Sequence, residues 1–145
     1  MSAQVHPAVH KLKFERTFCL IKPDGVKRGL IGDIILRIEK AGLKIVALKM
    51  LVPTADQVRK HYPMSDDAWV ERLGEKSLSS FENIAAEALE VLGSVDKSVI
   101  GKNVADSLVE FMTSGPVVAM VVEGIQAREM IRKLAGHTLP FKADV

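Results

Sequence analysis

Residues 17–52 read TFCLIKPDGVKRGLIGDIILRIEKAGLKIVALKMLV, and this stretch decides the fold class. Thr17–Ile21 is a short apolar run stopped by Pro23-Asp24-Gly25, which predicts a strand entering a turn. Ile31, Ile34, Ile35 and Ile38 then recur at i, i+3, i+4 and i+7, with Asp33, Arg37, Glu39 and Lys40 on the other side. That period predicts an amphipathic helix, with Gly42 placed to end it. Lys44–Val52 is apolar and rich in β-branched residues, stops at Pro53, and predicts a second strand. The opening third of the chain is therefore a β-α-β unit.

Downstream, Thr54-Ala55-Asp56-Gln57 has the form of a capping box, so a short helix should run from there toward Tyr62, with Pro63 closing it. Residues 64–76 are polar and read as irregular. Ser79-Ser80-Phe81-Glu82 is a second capping box ahead of Ile84, Ala85, Ala88 and Leu92, with Gly93 as the stop. Asn103 is a candidate cap for a helix whose apolar face is Val104, Leu108, Phe111 and Met112. Val117–Val122 is an apolar run without alternation, as expected of a strand in the middle of a sheet. Ala127, Met130, Ile131 and Leu134 form a last helical face ended by Gly136. The order is β-α-β, several helices, then β-α. A further strand would complete a ferredoxin-like split β-α-β pattern, so the expected fold is an α/β (α+β) sandwich truncated before its last strand, with the apolar first strand left at an unpaired edge.

Composition sets the outer limits. The 145 residues suit one domain; they are 48% hydrophobic and 26% charged, the balance of a globular protein. Gly and Pro together are too few for a low-complexity chain. The single cysteine, Cys19, rules out an intrachain disulfide and any zinc site built from several thiolates, which fits a reducing compartment. No run reaches the length of a membrane span, and residues 1–14 carry no apolar signal core, so a cytoplasmic location is the default. Residues 1–14 read as a flexible arm. The net charge of +2 hides an asymmetry: residues 1–50 hold ten Lys/Arg against four Asp/Glu. That density is too dilute to argue for nucleic acid, and an uneven solvated surface accounts for it.

One stretch concentrates chemistry: Lys22-Pro23-Asp24-Gly25-Val26-Lys27-Arg28-Gly29. A lysine at the carboxyl end of a strand, beside a tight turn, can fix an ammonium against a phosphate, although a surface turn with solvated lysines has the same local signature. The G-x-x-x-x-G-K-[ST] spacing of a P-loop is absent.

Residues 15–35, ERTFCLIKPDGVKRGLIGDII, resemble the opening of a nucleoside diphosphate kinase. So do residues 114–124, SGPVVAMVVEG, followed by a helix carrying Arg132 and then Gly136-His137-Thr138-Leu139-Pro140. With His61-Tyr62, these blocks frame a divergent middle. The resemblance implies transfer of the terminal phosphate from nucleoside triphosphates to nucleoside diphosphates through a phosphohistidine, with magnesium carried on the nucleotide phosphates and no metal site of the protein's own. It implies that Lys22 contacts the phosphates and steadies the transferring group. Arg132 and Thr138 match two further phosphate contacts, Tyr62 a residue supporting the histidine pocket, and Leu108 one lining the base slot. ATP and nucleoside diphosphates are the implied partners, with a homo-oligomer built from dimers, no membrane and no specific nucleic acid.

Two departures stand out. Where the family carries an aromatic that stacks on the base, this chain has Val104; Trp69 and Phe81 are candidate substitutes. Both lie in an enlarged segment, 63–102, expected to form an extra helical insertion of the domain spanning 15–145. The family's catalytic histidine belongs to an N-x-x-H-G-S-D-type stretch downstream of the Thr138 position, and that segment is not in this chain. His6 and His10 lie in the arm, His61 matches a non-catalytic position, and His137 is a weak candidate nucleophile. The sequence is compatible with a kinase lacking its histidine segment here, a non-catalytic nucleotide-binding module, or half of a split enzyme.

Overall fold

The computed structural model describes residues 12–79, 89–91 and 93–137. The second capping box and the helix expected after it lie largely outside the described residues, as does Thr138. The chain divides into two compact units, one of Met1–Leu51 with Val117–Val145, the other Val52–Pro116.

The first unit holds β1 (Phe14–Ile21), α1 (Pro23–Lys27), α2 (Ile31–Lys40) and β2 (Lys44–Leu51), which are contiguous in sequence. The three strands, with β3 (Val117–Ile125), form one antiparallel sheet in the order β1-β3-β2. β1 and β2 therefore do not pair with each other; β3 lies between them, which is the split β-α-β arrangement. Phe14 pairs with Ile125 and Ile21 with Val118, so β1 begins three residues before the expected Thr17. On the other side Lys44 pairs with Glu123 and Leu51 with Val117, and a bulge between Ile45 and Ala47 breaks the register.

β3 alternates after all. Val118, Met120, Val122 and Gly124 are buried on one side, while Ala119, Val121 and Glu123 are half-buried on the other. The uniform apolar spelling hides this because the second face is itself only partly open. The buried face packs with Ile21, Ile38, Leu43 and Ala127, and the helical residues Ile31, Ile34, Met130 and Ile131 close over it. Complete burial of side chains such as Val118 and Val122 contributes about 1.5–3 kcal/mol each. The last described helix, α6 (Ala127–Ala135), supplies Met130 and Ile131 and ends at Gly136, whose φ of 70° suits glycine. α2 ends likewise before Gly42, φ 80°.

The Pro23-Asp24-Gly25 turn is a short helix, α1. Pro23 sits at its first position, where a missing N–H costs nothing.

The second unit is helical: α3 (Ala55–His61), α4 (Asp67–Leu78) and α5 (Lys97–Thr113). The capping box at α3 is present in both directions, with Gln57 N–H donating to Thr54 Oγ1 at 3.2 Å and Thr54 N–H to Gln57 Oε1 at 2.9 Å. α4 corrects the irregular reading of 64–76. Asp66 caps it by accepting the N–H groups of Ala68 and Trp69, and its two buried residues, Val70 and Gly74, lie on one stripe against α5. α5 likewise begins earlier than Asn103, because Asp96 accepts the N–H groups of Ser98 and Val99. Its buried residues are Ile100, Gly101, Ala105, Val109 and Met112; of the expected face only Met112 is fully buried, and Val104, Leu108 and Phe111 sit at its margin.

Glycine makes the α4–α5 contact possible. A Cβ on Gly74 would collide with the Lys97 carbonyl oxygen, and one on Gly101 with the Val70 carbonyl oxygen. Backbone meets backbone at both points.

Candidate functional site

Lys22 comes directly after the last residue of β1 and is the N-cap of α1, its carbonyl accepting the Val26 N–H at 3.1 Å. Its side chain is exposed and lines a cavity of about 510 Å³. The floor is apolar, with Cys19, Ile21 and Ile34. Lys22, Arg28 and Arg37 face Asp24 and Asp33 around it, an excess of one positive charge. The sequence does not single out two of these cations as site residues. Arg37 reads there only as the outward charge of an amphipathic helix, and Arg28 only as part of the turn.

Arg132 is exposed on α6 in the same unit and lines a neighbouring groove of about 670 Å³. Ile131 is common to both, so Lys22 and Arg132 flank two adjoining hollows rather than one. Within the second groove the cations differ. Arg128 is committed: its Nη2 lies 2.7 Å from Glu15 Oε1, and its backbone N–H also reaches that carboxylate. The Arg128 hydrogen bond holds the Glu15 carboxyl below the ordinary carboxylate range. Arg132 has no ion pair among the described residues. It is therefore the arginine of this groove available to an anion. α6 is anchored upstream by Gln126, left-handed at φ 53°, whose N–H donates to the Lys13 carbonyl at 2.7 Å while its side chain accepts the Lys13 N–H.

The other expected residues belong to the second unit. Tyr62 is the C-cap of α3 and half-buried, with the His61 ring edge-on at 4.8 Å and the Trp69 ring at 6.3 Å. Burial pushes the Tyr62 phenol up. Val104 and Leu108 stand one turn apart on α5, both half-buried. His137 is exposed just beyond α6. Among the described residues no three His, Cys, Asp or Glu side chains gather into a cluster able to hold a metal ion, and no helix is long and apolar enough to cross a membrane.

The family model for nucleoside diphosphate kinase matches residues 15–79 and 89–145. A nucleoside diphosphate kinase of Pyrobaculum aerophilum is 43% identical over 129 residues, which is 89% of this chain and 70% of the relative. That of Archaeoglobus fulgidus is 40% identical over 129 residues, 89% of this chain and 63% of the relative. The chain thus spans about two thirds of the length of the curated relatives it matches. Among solved structures, an NDP kinase from Pyrobaculum aerophilum superposes with a TM-score of 0.84 at 39% identity, over 91% of this chain and 72% of that one. A nucleoside-diphosphate kinase from Borrelia burgdorferi with bound vanadate and ADP gives 0.63 at 34% identity, over 91% and 61%.

Proposed function

Because the chain belongs to the nucleoside diphosphate kinase family, we propose that it binds nucleoside di- and triphosphates and serves the transfer of the terminal phosphate between them. The observation that carries this reading is the placement of Lys22 at the carboxyl end of β1, on the rim of a cavity with excess positive charge. Lys22 and Arg132, which has no ion pair among the described residues, are the phosphate-binding cations of this reading; an ammonium acts as a point charge and a guanidinium can grip two oxygens at once. Phosphoryl transfer asks mainly for such positioning and charge neutralisation, and a phosphohistidine would divide it into two displacements. Magnesium arrives on the nucleotide, as part of the substrate. Tyr62, Val104, Leu108 and Thr138 complete the proposed set, Tyr62 as pocket support, Val104 and Leu108 as apolar contacts to the base, and Thr138 as a phosphate contact.

Self-association into dimers is part of the same reading. Leu48 and Met50 are each 52% exposed on β2, an edge of the described sheet, and a second copy would remove that surface from water.

Calorimetric titration with ADP and magnesium tests the binding. Saturable binding is expected, weakened about tenfold or more in Lys22→Ala, since a hydrogen bond to a charged group contributes about 1.5–3 kcal/mol. Absence of binding by the unaltered chain refutes the reading. Binding without transfer of phosphate from ATP to a second nucleoside diphosphate would favour a non-catalytic nucleotide-binding module instead.

A further inference from the structure

We propose that the cavity beside Lys22 is a binding site for an alkyl carboxylate, with the chain on its apolar floor and the head held by the arginines of its rim. The nucleotide reading uses Lys22 on that rim and gives the floor no part, so this inference goes beyond it and does not rest on it.

The cavity lies wholly within the first unit, among the end of β1, α1, α2 and the end of α6. Its floor is aliphatic. Ile21 and Ile38 are buried, Cys19, Ile34 and Ile131 are half-buried, and Leu134 is 37% exposed at its margin. Among the described residues that line it there is no aromatic ring, and the Cys19 thiol is the one neutral polar side chain. A nucleotide base would find there neither a π-face to stack on nor a side-chain amide or hydroxyl for its edge. A flexible alkyl chain needs only apolar contact, and the volume of about 510 Å³ is that of a small-molecule site.

The rim supplies a partner for the head. Arg37 stands about 60° round α2 from Ile34 and one turn further on, so the helix that floors the cavity carries a cation on the edge of its own apolar stripe. Arg28, the C-cap of α1, joins it on the cavity wall. Neither guanidinium has an ion pair or a side-chain hydrogen bond among the described residues. Asp24 and Asp33 offset two of the three rim cations, Lys22, Arg28 and Arg37, and the remaining positive charge matches one carboxylate. A guanidinium can take both oxygens of that carboxylate, and each methylene buried on the floor multiplies affinity about fourfold.

Sodium decanoate, kept below its micelle-forming concentration, is titrated into the full chain without nucleotide, and the methyl groups are followed by NMR. Saturable shifts are expected at Ile34, Ile131 and Leu134, with Val58 and Ile100 of the second unit unmoved. Hexanoate, four methylenes shorter, should bind about tenfold more weakly or worse. Decanol, with the chain and no charge, should bind about fivefold more weakly or worse than decanoate. Arg37→Gln, at an exposed position, should weaken decanoate by about fivefold while leaving decanol within about twofold, and Leu134→Ser should weaken both. Shifts that do not saturate or that fall on the second unit overturn the inference, as does a decanoate affinity unchanged in both variants. No nucleotide is present in this titration, so its failure leaves the nucleotide reading standing, and failure of ADP to bind leaves this site standing.

Discussion

Replacing Gly101 with alanine sets two terms of opposite sign against each other. Gly101 lies inside α5, where alanine is intrinsically the better helix former by about 1 kcal/mol. Were the position open, the substitution would stabilise. It is not open: the new Cβ would collide with the Val70 carbonyl oxygen, with the carbonyl carbon behind it at 2.8 Å and Val70 Cγ1 at 2.9 Å. Two of these three atoms are backbone, so no change of rotamer relieves the clash and the helices must separate. Overpacking of this kind costs about 1–3 kcal/mol and more where the backbone has to move. Separation also loosens Val70, Ile100 and Ala105, all buried in this unit. With the propensity gain deducted, Gly101→Ala should destabilise by about 2 kcal/mol, which at this chain length lowers Tm by roughly 4–8 °C. Gly32→Ala is the control. Gly32 is also helical, but nothing lies within 4 Å of its added Cβ, so the propensity term acts alone and the change should be neutral to stabilising by up to about 1 kcal/mol. Thermal and urea unfolding of both variants, followed by circular dichroism, measures the difference. A Gly101→Ala protein as stable as the unaltered chain would refute the claim that glycine is needed for the α4–α5 contact.

Neutralising Arg132 as Arg132→Gln should weaken ADP binding by calorimetry, and added salt should narrow its difference from the unaltered chain; Arg128→Gln should have the smaller effect, because Glu15 already holds that arginine. The same pair predicts a pH dependence. Glu15 has a lowered folded pKa, so its ionised form stabilises the fold above the unfolded carboxylate range, and that contribution is lost as pH falls through the folded value. Glu15→Gln should thus be less stable than the unaltered chain at neutral pH and should converge with it in acid, as urea midpoints across the acid range will show. Burial pushes the Cys19 thiol above its usual range, so alkylation at pH 8 should be slow in the folded chain and fast in denaturant; equal rates would contradict its placement in the core face.

The parts of the fold legible in sequence are those where local signals and packing agree. The isoleucines of α2 and the glycine stops at 42 and 136 fall where their periods and φ values require. The Thr54–Gln57 box likewise caps α3 in both directions. α4 is illegible for a physical reason. Its closest approach to α5 is made by Val70 and the bare backbone at Gly74, and a glycine in a contact position does not register as part of an apolar stripe. The start of α5 is hidden similarly. Asp96 is the actual cap, but the first turn after it, Lys97-Ser98-Val99, has no apolar period to announce a helix, whereas Asn103 precedes a run that does.

The site divides along a different line. The position of Lys22 is legible because it depends on chain order alone: β1 ends at Ile21, and the lysine after it is succeeded by Pro23 at the head of a helix. Arg28 and Arg37 are illegible because their placement depends on the packing of α1 and α2, which puts an outward-looking helix charge on the wall of the same cavity as Lys22. The contrast between Arg128 and Arg132 shows how much the third dimension adds. The two lie four residues apart on one exposed helical face and are interchangeable in the sequence. Only the register of β1, which carries Glu15 to α6, commits the first and leaves the second open. A residue's chemistry is written in its type, but its availability is set by what the fold has placed beside it. For that reason the Arg128 and Arg132 substitutions, made side by side, test the site reading more sharply than either alone.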